Sequence, residues 1–234
     1  MIIFNGISLK SVAPLKIEDI RISQIDLNPV TRARAIRFGS DFVRMSGGQR
    51  TVAVTFALLD QDKVRRHESL MRISQWAKTD KEYKLEFEID PSRYLMCVCT
   101  SKPEPSMRQW WESKLRLVFT CFDNPFWTSN GLKTVSCGTA FTALGDAPPL
   151  MSIKRTLSED VSTDQVYSNG EQTMIFTAMP AGNVTIDLNR QTASLDNGQS
   201  IMSYYKPTSK FLIPKIGTQT ITGSGTVYFR ERWQ

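Results

Sequence analysis

Apolar and polar positions alternate most regularly between Gln49 and Phe87. Val52, Val54 and Phe56 are interleaved with Thr51, Ala53 and Thr55, the period of a strand with one apolar face. Gly47-Gly48, just upstream, is a turn signal, so this strand is expected to fold back on Ser40–Met45 as a hairpin. Asp60 is suited to cap a helix that opens at Gln61, Asp62 and Lys63 and runs to about Lys78, where Thr79-Asp80 breaks the pattern. At a helical period Leu70, Ile73 and Ala77 share one side, with His67 and Met71 close to it. Arg65, Glu68, Arg72 and Gln75 share the other. Leu85, Phe87 and Ile89 then alternate with Glu86 and Glu88 in a further strand. The pattern predicts one long helix laid across a β structure.

The flanking sequence extends that β structure. Ile2–Phe4, Asn5-Gly6 and Ile7–Leu9 read as strand, turn and strand. Lys16–Leu27 reads as a strand, and Asn28–Gly39 as a long polar connection rich in arginine. Tyr94–Thr100 and Leu115–Phe122 are expected to pair antiparallel. Between them Ser101–Ser113 carries Pro103, Pro105 and Trp110-Trp111, an irregular excursion or long hairpin tip. An aromatic, proline-containing segment ending at Trp127 sets a boundary, giving domains 1–127 and 128–234. Beyond a connector with strands near Leu132–Ser136 and Thr139–Ala143, the second half holds only short strand candidates. These are Met151–Leu157, Gln165–Tyr167, Thr173–Ala178, Asn183–Asp187, Thr192–Leu195, Lys210–Ile213, Gln219–Thr222 and Thr226–Arg232. Their spacing, with turns at Asn169-Gly170 and Asn197-Gly198, predicts an antiparallel β-sandwich.

Charge sharpens this picture slightly. The net charge is +6, with 20 basic against 15 acidic residues in the first domain and 9 against 8 in the second. The excess is densest between Asn28 and Arg50, where Arg32, Arg34, Arg37, Arg44 and Arg50 face only Asp41. Such a patch suits nucleic acid or an acidic protein surface, and equally a solvated loop. No apolar run of roughly 18 residues predicts a membrane span. Met1–Ser11 lacks the basic start and long apolar stretch of a signal peptide, so a chain made in a cytosol is expected.

The search for chemistry finds little. Cys97, Cys99 and Cys121 lie within apolar strands, and Cys97 and Cys99 share a face, but the one histidine, His67, is on the helix. Buried thiols acting as small apolar groups account for them more simply than a thiolate metal site does. His67 reads as a packed or half-buried residue rather than an acid–base group. No GxSxG elbow or phosphate-cradling glycine loop occurs. Glu86, Glu88 and Asp90 read as an exposed polar strand face. No catalytic residue, cofactor or metal is expected. Trp110 and Trp111 point to opposite faces if extended, which suits a partner anchor or a local mini-core. Tyr204-Tyr205 and Trp233 are candidates for stacking on a sugar ring.

Taken together, the order of these segments resembles the distal tail protein (Dit) family of long-tailed, non-contractile bacteriophages. The resemblance rests on FNGI at Phe4–Ile7, RTVAVTFALL at Arg50–Leu59, the amphipathic helix ending in Gln75-Trp76 and LEFEIDPSRYL at Leu85–Leu95. It continues through LVFTCFDNPFW at Leu117–Trp127, NVTIDLNRQTASLDNG at Asn183–Gly198 and FLIPKIGTQTITGSGTVYFRERW at Phe211–Trp233. It departs at Pro214 and Gly217, which are separated where the family often has a Pro-Gly turn. The resemblance implies a mainly β protein with a tail-tube-like β-sandwich flanked by one helix and a C-terminal galectin-like β-sandwich. It implies a structural virion protein without enzymatic activity, forming a homohexameric ring that joins the tail tube to the tail tip or baseplate. Expected partners are copies of itself, the tail-tube protein and the tail-tip or fibre proteins, with DNA only passing through the channel. Arg32, Arg34 and Arg37 are the expected contacts with a neighbouring subunit or ring, and Trp110 and Trp111 with another tail component. A plain tail-tube subunit is the near alternative, and a carbohydrate-binding module contacting the host surface is the alternative from another class.

Overall fold

The computed structural model describes residues 1–25, 27–33, 40–101 and 114–234, and for 27–33 and 40–47 the backbone alone. The chain is mainly β and divides into two compact units, Met1–Trp127 with Gln234, and Thr128–Trp233.

In the first unit the elements run β1 (Ile2–Phe4), β2 (Ile7–Ser8), α1 (Leu9–Val12), β3 (Leu15–Ile22), β4 (Leu27–Ala33), β5 (Ser40–Gly47) and β6 (Arg50–Leu58). They continue with α2 (Lys63–Trp76), β7 (Tyr83–Phe87), β8 (Asp90–Ser101) and β9 (Leu115–Cys121). Strand β6 does not pair with β5. It lies between β3 and β9, and β5 pairs with β4 over Leu27–Ala33. The reason is visible across the register. Ile22–Val52–Phe119, Ile20–Val54–Leu117 and Ile17–Phe56–Leu115 form three apolar rows over β3, β6 and β9. Cross-strand apolar pairs of this kind are the unit of sheet stability, and they outweigh a nearby turn signal. The β4–β5 pairing also replaces the first part of the polar connection expected after Asn28.

A second set of strands, β8–β7–β1–β2, aligns Phe4, Leu85 and Leu95 in one row and pairs Ile2 with Phe87. Strand β8 serves both sets. Its first part, up to Cys97, pairs with β7, and its last residues, from Val98, pair with β9. The inward faces of the two sets make one core, which α2 completes with Leu70, Ile73 and Ala77. Trp76 stands edge-on to Phe4 at 5.6 Å and to Phe119 at 6.2 Å between ring centres, and its indole N–H donates to the Ile7 carbonyl at 3.1 Å. The expected apolar face of the helix is therefore the buried one, although Met71 is half exposed. Its cap is Asp62, which accepts from the Val64 N–H; Asp60 instead accepts from the buried Ser69 hydroxyl at 2.6 Å.

The short strand β10 (Trp127–Ser129) carries the chain onward. The second unit contains β11 (Lys133–Ser136), β12 (Ala140–Ala143), β13 (Ala147–Leu157), β14 (Gln165–Ser168), β15 (Thr173–Phe176), β16 (Gly182–Asp187) and β17 (Thr192–Leu195). After a single 3-10 turn at Met202–Tyr204 come β18 (Gly217–Thr220) and β19 (Thr226–Trp233). One sheet has the order β17–β16–β13–β19–β11, and the pairs β12–β18 and β14–β15 contribute to the opposite layer. The layers meet over Ile153, Ile186, Val227 and Phe229 from the sheet and Phe141, Tyr167, Met174 and Phe176 from the pairs. This is the antiparallel β-sandwich that the spacing of short strands predicts. Lys210–Ile213 is not a strand; Phe211 and Leu212 reach the core from irregular backbone.

Candidate interaction surfaces

Of the five residues singled out as contacts, Arg34, Arg37, Trp110 and Trp111 lie outside the described residues, and Arg32 is described only as a backbone position in β4 opposite Asp41. The arginine-rich stretch is not a surface patch throughout. Arg50 opens β6 opposite Cys121 and is buried, at 4% exposure. Alternation explains this, because Arg50 continues the inward series of Val52, Val54 and Phe56.

The groups with potential chemistry are held in structural roles. Cys97, Cys99 and Cys121 are buried in the first core. A hydrogen bond with Cys121, reinforced by burial, raises the Cys97 thiol far above its usual range, so it stays protonated and is a poor metal ligand. Among the described residues no group of three or more His, Cys, Asp or Glu side chains could hold a metal ion. His67 is on the exposed side of α2, not against the core as its place near the apolar stripe suggests, because that stripe is only as wide as Leu70, Ile73 and Ala77. Among the described residues no helix is long and apolar enough to cross a membrane.

In the second unit a buried carboxylate acts as a clamp. Glu231 follows Val227 and Phe229 on the inward side of β19 and is 6% exposed. It accepts from the Lys133 ammonium at 2.7 Å and from the Leu144 N–H at 3.0 Å. Next to it, burial lowers Arg232 to about 10, and its Nε–H donates to the Pro148 carbonyl. The alternation in β19 could have revealed Glu231, because a carboxylate at an inward position needs buried donors.

The second unit carries recesses formed by its described residues. One, of about 500 Å³, runs over the outer side of β13, β16 and β19 between Lys154, Asn183, Asp196 and Tyr228. Its polar groups satisfy one another: the Thr156 hydroxyl donates to Asn183 at 2.7 Å, and Asn183 donates to Asp196 at 2.9 Å. Another, of about 400 Å³, is bounded by Gln191, Met202, Tyr205 and Phe211. Here the Tyr205 ring packs on Phe211 at 4.9 Å, and its hydroxyl donates to the Ser209 carbonyl at 2.7 Å. Tyr205 is thus committed to its own unit, and Tyr204 is exposed beside it.

In the first unit the hairpin between β7 and β8 departs from expectation. Ile89 does not extend the alternation of Leu85 and Phe87, because Phe87 already pairs with Asp90 and the chain turns at Glu88-Ile89. Ile89 is left almost wholly exposed.

No protein-family model matches the chain, and no curated protein sequence matches it significantly. Solved structures do match. Two chains from the baseplate of phage p2 in its activated conformation, with strontium and with calcium, have TM-scores of 0.48 and 0.44 at 8% and 10% identity. They cover 94% and 91% of this chain, and 91% and 90% of their own length is matched. The crystal structure of the Dit protein (gp 19.1) of phage SPP1, described as a paradigm of the hub adsorption apparatus in phages infecting Gram-positive bacteria, superposes with a TM-score of 0.74 at 17% identity. The match covers 100% of this chain and 98% of that one, so this chain is similar in fold to a Dit protein from end to end.

Proposed function

We propose that this chain is a distal tail protein of a long-tailed, non-contractile phage. It is a structural virion subunit, not an enzyme, and closes with copies of itself into a homohexameric ring. The ring joins the end of the tail tube to the tail tip or baseplate and so to the host-adsorption apparatus. The observation that carries this reading is the end-to-end likeness to the SPP1 Dit protein, which extends through both units and not one shared sandwich. A plain tube subunit has no need of the second sandwich.

In this reading the unit at 1–127 forms the ring and the galectin-like unit at 128–234 is carried on it. The tail-tube and tail-tip proteins are the neighbours, DNA only passes through the channel, and the subunit is assembled in the host cytoplasm and resides in the virion tail. Arg32, Arg34 and Arg37 meet the neighbouring subunit or ring, and Trp110 and Trp111 meet another tail component.

The test is the solution mass of the purified chain by light scattering, with negative-stain images of the same fraction. Closed rings of about six subunits are the expected result. A chain that stays monomeric with its tail-tube and tail-tip neighbours present, and that is retained on immobilised glycans, would overturn the ring in favour of a carbohydrate-binding module.

A further inference from the structure

Strand β8 changes partner along its length, and three thiols gather where it does so. Up to Cys97 it pairs with β7, and from Val98 it pairs with β9. Val98 stands opposite Thr120 and Cys99 opposite Phe119, so one step back along the same antiparallel register Cys97 faces Cys121. Alternation turns Cys97, Cys99, Phe119 and Cys121 to one inward side. There Cys97 and Cys121 are wholly buried and joined by a hydrogen bond.

Spacing sets this pair apart from the other combinations. A disulfide needs Cα atoms about 4.4–6.8 Å and Cβ atoms about 3.5–4.5 Å apart. Directly opposed residues of antiparallel strands hold both within about 4.5–5.5 Å, so a small closing of β8 on β9 suffices. Cys99 and Cys121 are diagonal neighbours, a relation that spans about 7–8 Å. Cys97 and Cys99 lie two residues apart on one strand, with parallel side chains roughly 6.6 Å from each other. The Cys99 thiol is also turned along its own strand, donating to the Ser101 carbonyl at 3.4 Å.

We propose that Cys97 and Cys121 are a site of covalent cross-linking: in the presence of a small-molecule disulfide they close into a cross-strand bond that locks β9 onto β8. One cysteine, as its thiolate, attacks a sulfur of the oxidant, whose S–S bond breaks and releases one thiol. The second cysteine attacks the mixed disulfide left on the protein, forms the Cys97–Cys121 bond and releases the second thiol. The protein sulfurs give up two electrons, the oxidant takes them, and the two protein protons end on the released thiols. Burial keeps the thiols protonated, so the first attack waits for local opening of the β8–β9 ladder and quickens as pH rises. The bond ties together the ends of the segment 98–120 and so removes freedom from the unfolded chain. This inference does not rest on the distal-tail reading. In that reading the chain passes from a reducing cytoplasm to the outside, the passage on which such a pair closes.

The test incubates the full chain with oxidised glutathione at pH about 8.5. The product is unfolded, alkylated, digested without reductant and mapped by mass spectrometry. The expected map has one linked pair, Cys97 with Cys121, lighter by two hydrogens than the separate peptides, and Cys99 alkylated. The melting temperature should rise by roughly 5 °C, hydrogen exchange in β9 should slow several-fold, and dithiothreitol should reverse both. Cys99→Ala should keep the bond, and Cys121→Ala should lose it together with the oxidant-dependent rise. Each variant is compared with itself before oxidation, so that lost core volume cancels. If Cys121→Ala does not fold, the maps of the wild type and of Cys99→Ala decide. A bond through Cys99, a bond only between two chains, glutathione left on Cys97 or Cys121, or a pair that stays reduced until the chain is unfolded would overturn the proposal. So would a Cys97–Cys121 bond that leaves melting unchanged or lowered, because it then locks nothing.

Discussion

The two units reach stability by different means. The first fills its interior with side-chain volume. A helix presses Leu70, Ile73, Ala77 and Trp76 onto strands whose apolar rows run through three neighbours, and Phe4, Trp76 and Phe119 interlock at centroid distances of 5.0 to 6.2 Å. The second has no long helix. Its apolar core, over Ile153, Phe176 and Phe229, is supplemented by polar clamps and close backbone approaches: Glu231 on Lys133 and Leu144, Asn189 on Met151 and Pro149, and Gly145 against Arg232. The first should therefore be sensitive to lost volume, and the second to lost donors and to added methyl groups. A β-sandwich can be secured by either route when turns and helices supply different material.

This contrast can be broken in four ways. The largest effect is expected from Phe119→Ala, which empties a fully buried site between two sheets and should cost about 3–5 kcal/mol in chemical denaturation. Hydrogen exchange should rise in β6 and β9 before it rises in β13 and β19. Next is Gly145→Ala. Gly145 has φ 114, and a Cβ there would lie 2.2 Å from the Arg232 carbonyl oxygen, so backbone must move. A loss of about 3 kcal/mol is expected, with faster exchange confined to the second unit. Replacing Glu231 by Ala leaves the Leu144 N–H without its acceptor, while the half-exposed Lys133 ammonium turns to water, and should cost about 1–3 kcal/mol. Glu231→Gln should recover part of it by keeping an acceptor. The smallest energetic effect is that of Asp62→Ala, about 1 kcal/mol through the lost cap of α2, read as a small fall in melting temperature.

The thiols offer a further readout of the same difference. Cys97, Cys99 and Cys121 are all in the first core, and Cys137, partly exposed, is in the second unit. The Cys97 thiol is raised by its hydrogen bond with Cys121 and by burial, and burial raises Cys137 too. Raised thiols react as thiolate only at higher pH, so native alkylation near neutral pH should be slow at Cys137 and absent at the other three. Phe119→Ala should open Cys99 and Cys121 to the reagent without accelerating Cys137.

Much of this was legible from alternation. Helix α2, the strand at Arg50–Leu58 and nearly all the short strands of the second unit follow from local period. The sequence of segments also carried the resemblance that the end-to-end fold match supports. Partner choice was not legible, because alternation reports which side of a strand is apolar and not which strand lies beside it. The turn at Gly47-Gly48 was a local signal that lost to apolar rows formed with residues far away in sequence. Ile89 departs from its period for a related reason: it keeps the spacing of Leu85 and Phe87, but the hairpin closes at the Phe87–Asp90 pair. Glu231 and Arg50 sit at inward positions where a charged residue reads as exposed until its surroundings are known. The contact residues proposed at Arg34, Arg37, Trp110 and Trp111 lie outside the described residues, so the geometry bears on them in neither direction.

The central place of β6 has a consequence during synthesis. When Leu58 has left the ribosome, β3 is already available along one edge, but β9 does not begin until Leu115. At roughly 5–20 residues per second the other edge of β6 waits for several seconds with its N–H and C=O groups unpaired. Strand β1 waits in the same way for β7. The nascent chain thus presents an open, valine-rich edge until its last partner arrives, and a neighbouring nascent chain on the same message carries the same edge. Spacing between ribosomes therefore bears on the yield of folded chain as well as the final fold does.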